Sequence, residues 1–218
     1  MGLVAAFEGV HGDLVVYLAA AGLISLVIHE FAHAFVATRL GDASPRAFGR
    51  LTLSPKAHVD PFGSYVLPAI LLLIAFFTGN AIVFAYAKPM PLNPWNTGRR
   101  TRDTVLIQAA GPVANVVLAF VFAALFSVTC GTRVLSPLLF VCVMTNALFA
   151  AAHIIPVPPL DGARAIAPFL SPRAREVFVN MEQYAALFML LLFFILGAFF
   201  LSLITAIRDG ILTLFPGC

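Results

Sequence analysis

The chain has 218 residues, 61% of them hydrophobic and only 11% charged, with 21 Phe and a formal net charge of +3; its mean hydropathy is +0.99. So little polar surface cannot cover a soluble globule of this size, and an integral membrane protein is expected. The basic residues are scattered through loops rather than gathered in one tract with interleaved aromatics, which argues against nucleic acid as a partner, and Cys130, Cys142 and Cys218 show no C-x-x-C spacing or disulfide-framework pattern.

The first apolar run, residues 14–38, is long enough to cross about 30 Å of hydrocarbon at 1.5 Å per residue. No basic n-region or small-residue cleavage site precedes it, so the segment is expected to be retained, with His11 ahead of it in solvent. It contains His29-Glu30-Phe31-Ala32-His33, an H-E-x-x-H pattern. Two imidazoles four residues apart on a helix project from one face and can share a metal, and Glu30 between them can take a proton from water held there. Ionisable groups at membrane depth cost roughly 2.5–3.5 kcal/mol each and usually mark function.

Residues 48–54 partly alternate and precede Pro55, which predicts a short strand near the inner face. His58 and Asp60 are read as loop residues, with Asp60-Pro61 opening a turn. Residues 65–77 predict a short apolar helix closed by Thr78-Gly79-Asn80, and residues 81–87 are rich enough in β-branched and aromatic side chains to form a strand. A continuous span over 65–87 would put the basic loops 39–60 and 88–103 on opposite faces. A re-entrant helix-turn-strand hairpin, about 64–87, puts both on one side with loop 164–183, so that all of the 13 basic residues except Arg133 and Arg208 lie on the inner side. The hairpin is therefore preferred, lining a cavity because non-helical backbone must be shielded from lipid. Exposed strand edges there would let an extended peptide pair with the chain. Further spanning helices are predicted at 104–129, 134–155 and 185–207. The expected architecture is a single all-α polytopic membrane domain over 1–218, with about four transmembrane helices, the hairpin and short membrane-associated strands.

A catalytic zinc takes three protein ligands and keeps one position open. The best candidate for the third is Asp161, in the run from His153 to Gly162, His-Ile-Ile-Pro-Val-Pro-Pro-Leu-Asp-Gly. Its prolines end the third spanning helix and Gly162 permits a tight backbone, so Asp161 should emerge near the inner face.

H-E-F-A-H, then Gly111-Pro112-Val113-Ala114-Asn115, then Pro-x-Pro-x-x-Asp-Gly ending at Gly162 resembles the site-2 protease family of intramembrane zinc metalloproteases over roughly residues 14–170. Asp60-Pro61-Phe62-Gly63 and Ala87-Lys88-Pro89-Met90-Pro91 look like a compact bacterial or archaeal branch without regulatory domains. The resemblance implies one Zn2+ per chain on His29, His33 and Asp161, with Glu30 as the acid/base. It also implies a prokaryotic cell (inner) membrane location and transmembrane protein or peptide substrates cut in or near their membrane segments. The family pattern usually carries Asn where this chain has His153, and uses it to bind substrate or the developing oxyanion. Imidazole can also donate a hydrogen bond there, or it can satisfy neighbours and help hold Asp161.

Asn115 lies about 18 Å along its helix from Asp103, close to the depth of the zinc motif, and is read either as a second oxyanion partner or as an interhelical hydrogen bond beside Gly111-Pro112. The motif histidines lie about 9–15 Å from the inner end of their helix near Arg39, within reach of a polar inlet, so cleavage is expected toward the cytoplasmic face. Two rival readings are a metal-ion transporter or channel lined by His29, Glu30, His33 and Asp161, and a catalytically impaired protein of the same fold that binds membrane clients.

Overall fold

The computed structural model describes residues 14–70, 73, 86–129, 131–182 and 184–214. His11, Cys130, Cys218, the turn expected at Thr78-Gly79-Asn80 and residues 81–85 of the expected strand lie outside the described residues. Helix α1 runs over Leu14–Arg39, followed by the short α2 (Ser44–Ala47), α3 (Pro55–His58) and one π-helical turn at Pro61–Val66. After a 3-10 turn at Pro94–Asn96 come α4 (Arg100–Val128), α5 (Leu135–Ile154) and α6 (Asp161–Ile166). A 3-10 turn at Ala167–Phe169 then leads to α7 (Pro172–Glu182) and α8 (Ala185–Leu214).

Among the described residues three helices, Val16–Arg39, Arg100–Val128 and Leu135–Ile154, are long and apolar enough to cross a membrane. α4 starts ahead of its apolar run because the Arg99 amide donates to the Asp103 carboxylate at 2.7 Å, giving the exposed donors of the first turn an internal acceptor. α1 stops at a left-handed Gly41, φ +104°, where the Asp42 amide folds back on the Ala37 carbonyl at 3.0 Å. Residues 172–182, read from the sequence as loop, form α7, with Pro172 in its first turn and Ser171 ahead of it.

α1, α4 and α5 pack against one another, and α8 lies on α5. On α4 the buried residues Ile107, Gly111, Pro112 and Asn115 recur every three or four positions, so one face turns inward. Opposite it Val113, Val117, Phe120 and Val121 are exposed, a face suited to lipid. Ala21, Ala34 and Ala37 are fully buried on α1 and let the backbones approach closely. At the apolar end of the bundle Tyr17, Phe126, Leu139, Val141, Met144 and Ile204 form the hydrophobic core. The other end carries the basic loops.

The strand expected over 48–54 does not form, and the described residues contain no sheet, only an isolated antiparallel bridge between Val59 and Ala87. Local partners take up this backbone. The Arg50 amide donates to the Pro45 carbonyl at 2.7 Å, and the Thr52 carbonyl accepts from His58 Nε2 at 2.7 Å. The buried Arg50 guanidinium donates to the carbonyls of Ala57 and Pro89, tying the two basic loops together. Buried Asp42 reinforces that tie: its carboxylate accepts from the amides of Ser44 (3.0 Å) and Asn93 (2.7 Å) and from Asn96 Nδ2 (3.1 Å). Burial alone would raise the Asp42 carboxyl, but donors from Ser44, Asn93 and Asn96 outweigh it and hold the group below the usual carboxylate range.

The two ends of the expected hairpin meet. Tyr86 donates its amide to the Gly63 carbonyl at 3.1 Å, Ser64 Oγ donates to the Tyr86 carbonyl at 2.8 Å, and the Lys88 amide donates to His58 at 2.9 Å. A continuous helix over 64–86 would hold its ends about 33 Å apart. Gly63 makes this approach possible, since a Cβ there would fall 2.5 Å from Tyr86 ring atoms.

Candidate metal centre

Helix α1 carries His29 and His33 one turn apart on its buried face, 1% and 3% exposed. Asp161 comes from the first turn of α6 and is also buried. Pro156, Pro158 and Pro159 end α5 and reverse the chain, with a cis bond between Pro158 and Pro159. Gly162 then lets α6 tuck under the end of α5, where a Cβ would press on the Ile154 and Ile155 carbonyls. The result is a tight triangle: His29 Nε2 is 3.0 Å and His33 Nε2 3.2 Å from Asp161 Oδ2, and the two Nε2 atoms are 3.0 Å apart.

Each imidazole is held from behind. His33 Nδ1–H donates to the Ile107 carbonyl at 2.7 Å. Pro112 has no amide for the Gln108 carbonyl, so the α4 ladder is open beside that point. His29 Nδ1–H donates to Asn115 Oδ1 at 2.5 Å. With hydrogen on both Nδ1 atoms, the two neutral rings turn bare Nε2 lone pairs toward Asp161 Oδ2 and toward each other. Three such atoms this close need positive charge among them, either a proton on a ring nitrogen or a bound metal ion.

The residues fit a metal on two further counts. Zinc bonds of about 2.0–2.2 Å in a tetrahedron imply ligand atoms about 3.3–3.6 Å apart, close to the triangle observed. Gly111 of α4 faces the same spot: a Cβ there would lie 2.5 Å from His29 Cε1 and 2.6 Å from its Nε2, and closer still to His33 Nε2. Among the described residues this is the group of His, Cys, Asp or Glu able to hold an ion.

Glu30 lies on the α1 turn between the two histidines, and its Oε2 is buried without a hydrogen-bond partner in the protein. His153 Nδ1–H donates to Asp161 Oδ2 at 2.8 Å, and its ring packs edge-on against His29 with centroids 4.4 Å apart. The structure thus gathers His29, Glu30, His33, Asn115, His153 and Asp161 at one place. His58 and Asp60 take no part: the first pairs with Thr52, and the second accepts from the Phe62 and Gly63 amides at the start of the π-helical turn. Sequence reasoning missed Asn146 of α5, which is fully buried beside Asn115. An amide in the middle of a spanning run was the available signal.

Residues 17–136 match the family model described as Peptidase family M50. The chain is 34% identical over 214 residues to the Bacillus subtilis protein named "Putative zinc metalloprotease YwhC", covering 93% of this chain and 92% of that one. It is 31% identical over 192 residues to the Mycobacterium tuberculosis protein named "Putative zinc metalloprotease Rip2", covering 84% and 68%. No solved structure matches the chain at the same stringency. With H-E-F-A-H and Gly111–Asn115 inside the matched segment and likeness over nearly the whole length, the chain belongs to peptidase family M50, the site-2 protease family.

Proposed function

We propose that the chain is an intramembrane zinc metalloendopeptidase that hydrolyses peptide bonds in or near the transmembrane segments of membrane-protein substrates. The observation that carries this reading is the close, buried triangle of His29 Nε2, His33 Nε2 and Asp161 Oδ2 beside the unpartnered Glu30 Oε2. One Zn2+ held by those three residues would polarise a scissile carbonyl and lower the pKa of water at its open position. Glu30 would accept a proton from water at that position and pass it to the leaving amine.

His153 has its Nδ1–H committed to Asp161, so its neutral ring presents only a lone pair at Nε2. We assign it to holding Asp161, and it can donate to an oxyanion only as the imidazolium. Asn115 spends its carbonyl on His29 and its NH2 on Asn146, which supports a role behind His29 rather than at the oxyanion.

The meeting of residues 63–64 with Tyr86 supports a re-entrant hairpin, and the 30-residue length of α8 supports a fourth span. Gathering the basic loops at the end near the cluster supports a prokaryotic inner-membrane protein whose site lies toward the cytoplasmic face. A groove of about 590 Å³ bordered by Met90, Leu92, Gln108 and Ala163 opens beside α6, with room for an extended piece of an unwound substrate.

The test is incubation of purified protein with a panel of transmembrane peptides, with and without a zinc chelator, alongside Glu30→Gln. Cleavage toward the cytoplasmic half is expected, lost with chelator and with Glu30→Gln while that variant keeps stoichiometric metal. Cleavage that survives both treatments overturns the reading, as does metal flux into vesicles without hydrolysis. Peptide binding with bound metal and no hydrolysis would instead assign a catalytically silent binder.

A further inference from the structure

We propose that Asn146 is a positioning residue: acting through Asn115, it fixes which nitrogen of His29 carries hydrogen and so how tightly the centre holds metal. The inference rests on reading the cluster as a zinc site, and it concerns a residue two contacts away from that cluster.

Three helices each contribute one link. On α5, Asn146 Nδ2 donates to the Cys142 carbonyl at 2.8 Å. Its Oδ1 accepts from Asn115 Nδ2 of α4, also at 2.8 Å. Asn115 Oδ1 then accepts from His29 Nδ1–H of α1 at 2.5 Å. Asn115 and Asn146 are both 0% exposed, so water cannot stand in for any partner.

The direction of the relay is set at its far end. A backbone carbonyl can only accept, so the Cys142 oxygen requires the Asn146 NH2. The Asn146 oxygen must then face Asn115, which must answer with its own NH2. That leaves only the Asn115 oxygen for His29, so the ring carries its hydrogen on Nδ1 and its lone pair on Nε2, the atom facing Asp161 and His33. Turning both amides over would set two carbonyl oxygens against each other at Cys142 and aim an NH2 at His29 Nδ1. The ring would then carry hydrogen on Nε2, where it blocks metal binding. A carbonyl on α5 thus selects the ligating form of a histidine on α1.

The experiment measures Zn2+ affinity by chelator competition, and the visible spectrum of the Co2+-loaded protein, in detergent for wild type, Asn146→Leu and Asn146→Asp. Leu fills the space but offers Asn115 no acceptor, freeing that amide to turn; affinity should fall about 10–100-fold, with an altered Co2+ spectrum. Asp at this fully buried position is expected to carry a proton, donating its O–H to the Cys142 carbonyl and keeping its other oxygen toward Asn115, so its affinity and spectrum should stay within a few-fold of wild type. Adding Asn115→Asp to the Leu variant should restore affinity, because a carboxylate accepts from His29 whichever way it turns.

Wild-type affinity in a folded Leu variant would overturn the proposal, and so would equal loss in the Leu and Asp variants, which marks general packing damage. Should Leu prevent folding, a folded Asp variant that loses metal overturns it equally. Absence of metal from the wild-type protein would sink the zinc reading along with the relay, whereas wild-type binding with unaffected variants sinks the relay alone.

Discussion

The two ends of the α1–α4–α5 bundle are built from the same helices and held by different forces. At the apolar end Tyr17, Phe126, Leu139, Val141 and Met144 meet through shape alone. In a bilayer such contacts gain little over lipid, so small backbone-approach residues and close packing hold that end together. Toward the basic loops the same helices present His29, His33, Asn115 and Asn146, and α6 adds Asp161, each buried and each engaged by a named partner. Lipid offers these groups nothing, so a misplaced atom has no substitute. One end should tolerate volume-conserving change while the other should not tolerate a single methyl group.

The sharpest way to break that contrast is Gly111→Ala. The added methyl falls against both Nε2 atoms, and metal affinity should drop by more than about 100-fold, taking hydrolysis with it. Retention of stoichiometric zinc by a folded Gly111→Ala protein would show that the site is looser than its distances imply. His153 comes next. His153→Ala removes the donor on Asp161 and should cost about 10–100-fold in kcat/KM or metal affinity, whereas His153→Asn, which restores the residue usual in this family, should stay within a few-fold. Equal losses in the two would mean that the ring itself, not its donor, matters.

Asp42→Asn tests the platform rather than the centre. One oxygen that accepts from the Asn93 amide or from the Ser44 and Asn96 donors becomes an NH2 facing a donor. The expected cost is about 1–3 kcal/mol in thermal unfolding. Because the Asp42 carboxyl is held below the usual range, its stabilisation is complete above the ordinary carboxylate pKa and disappears as pH falls through the lowered value. The difference in melting temperature between wild type and Asp42→Asn should narrow on acidification, and a constant difference would remove the charge from the explanation. The smallest effect is expected from Met144→Leu at the apolar end: less than about 1.5 kcal/mol, with metal content unchanged. If that swap disturbs zinc as Gly111→Ala does, the two ends are not separable.

Much of the candidate site was readable in the chain because its spacing is helical. His29 and His33 share a face by a four-residue step, and the prolines before Asp161 forecast where α5 ends. Composition and the long apolar runs likewise located the long helices, whose observed ends differ by a few residues, as where Asp103 caps α4 and where α8 runs on to Leu214. Residues 48–54 misled because alternation identifies a strand only when a neighbouring edge exists, and here a turn, His58 and Arg50 claim the local groups first.

What the sequence by itself determined is membrane residence, helical class and the kinds of atoms that could bind metal, because hydropathy and helical period are local properties. Only the tertiary structure decided that Asp161 closes on two imidazoles 128 and 132 residues earlier, that Asn115 stands behind His29, and that Asn146 stands behind Asn115. Those facts depend on how three helices are rotated about their axes. That rotation is set by where Gly111, Ala34 and Ala37 allow backbones to meet, a sum of contacts that no single segment contains.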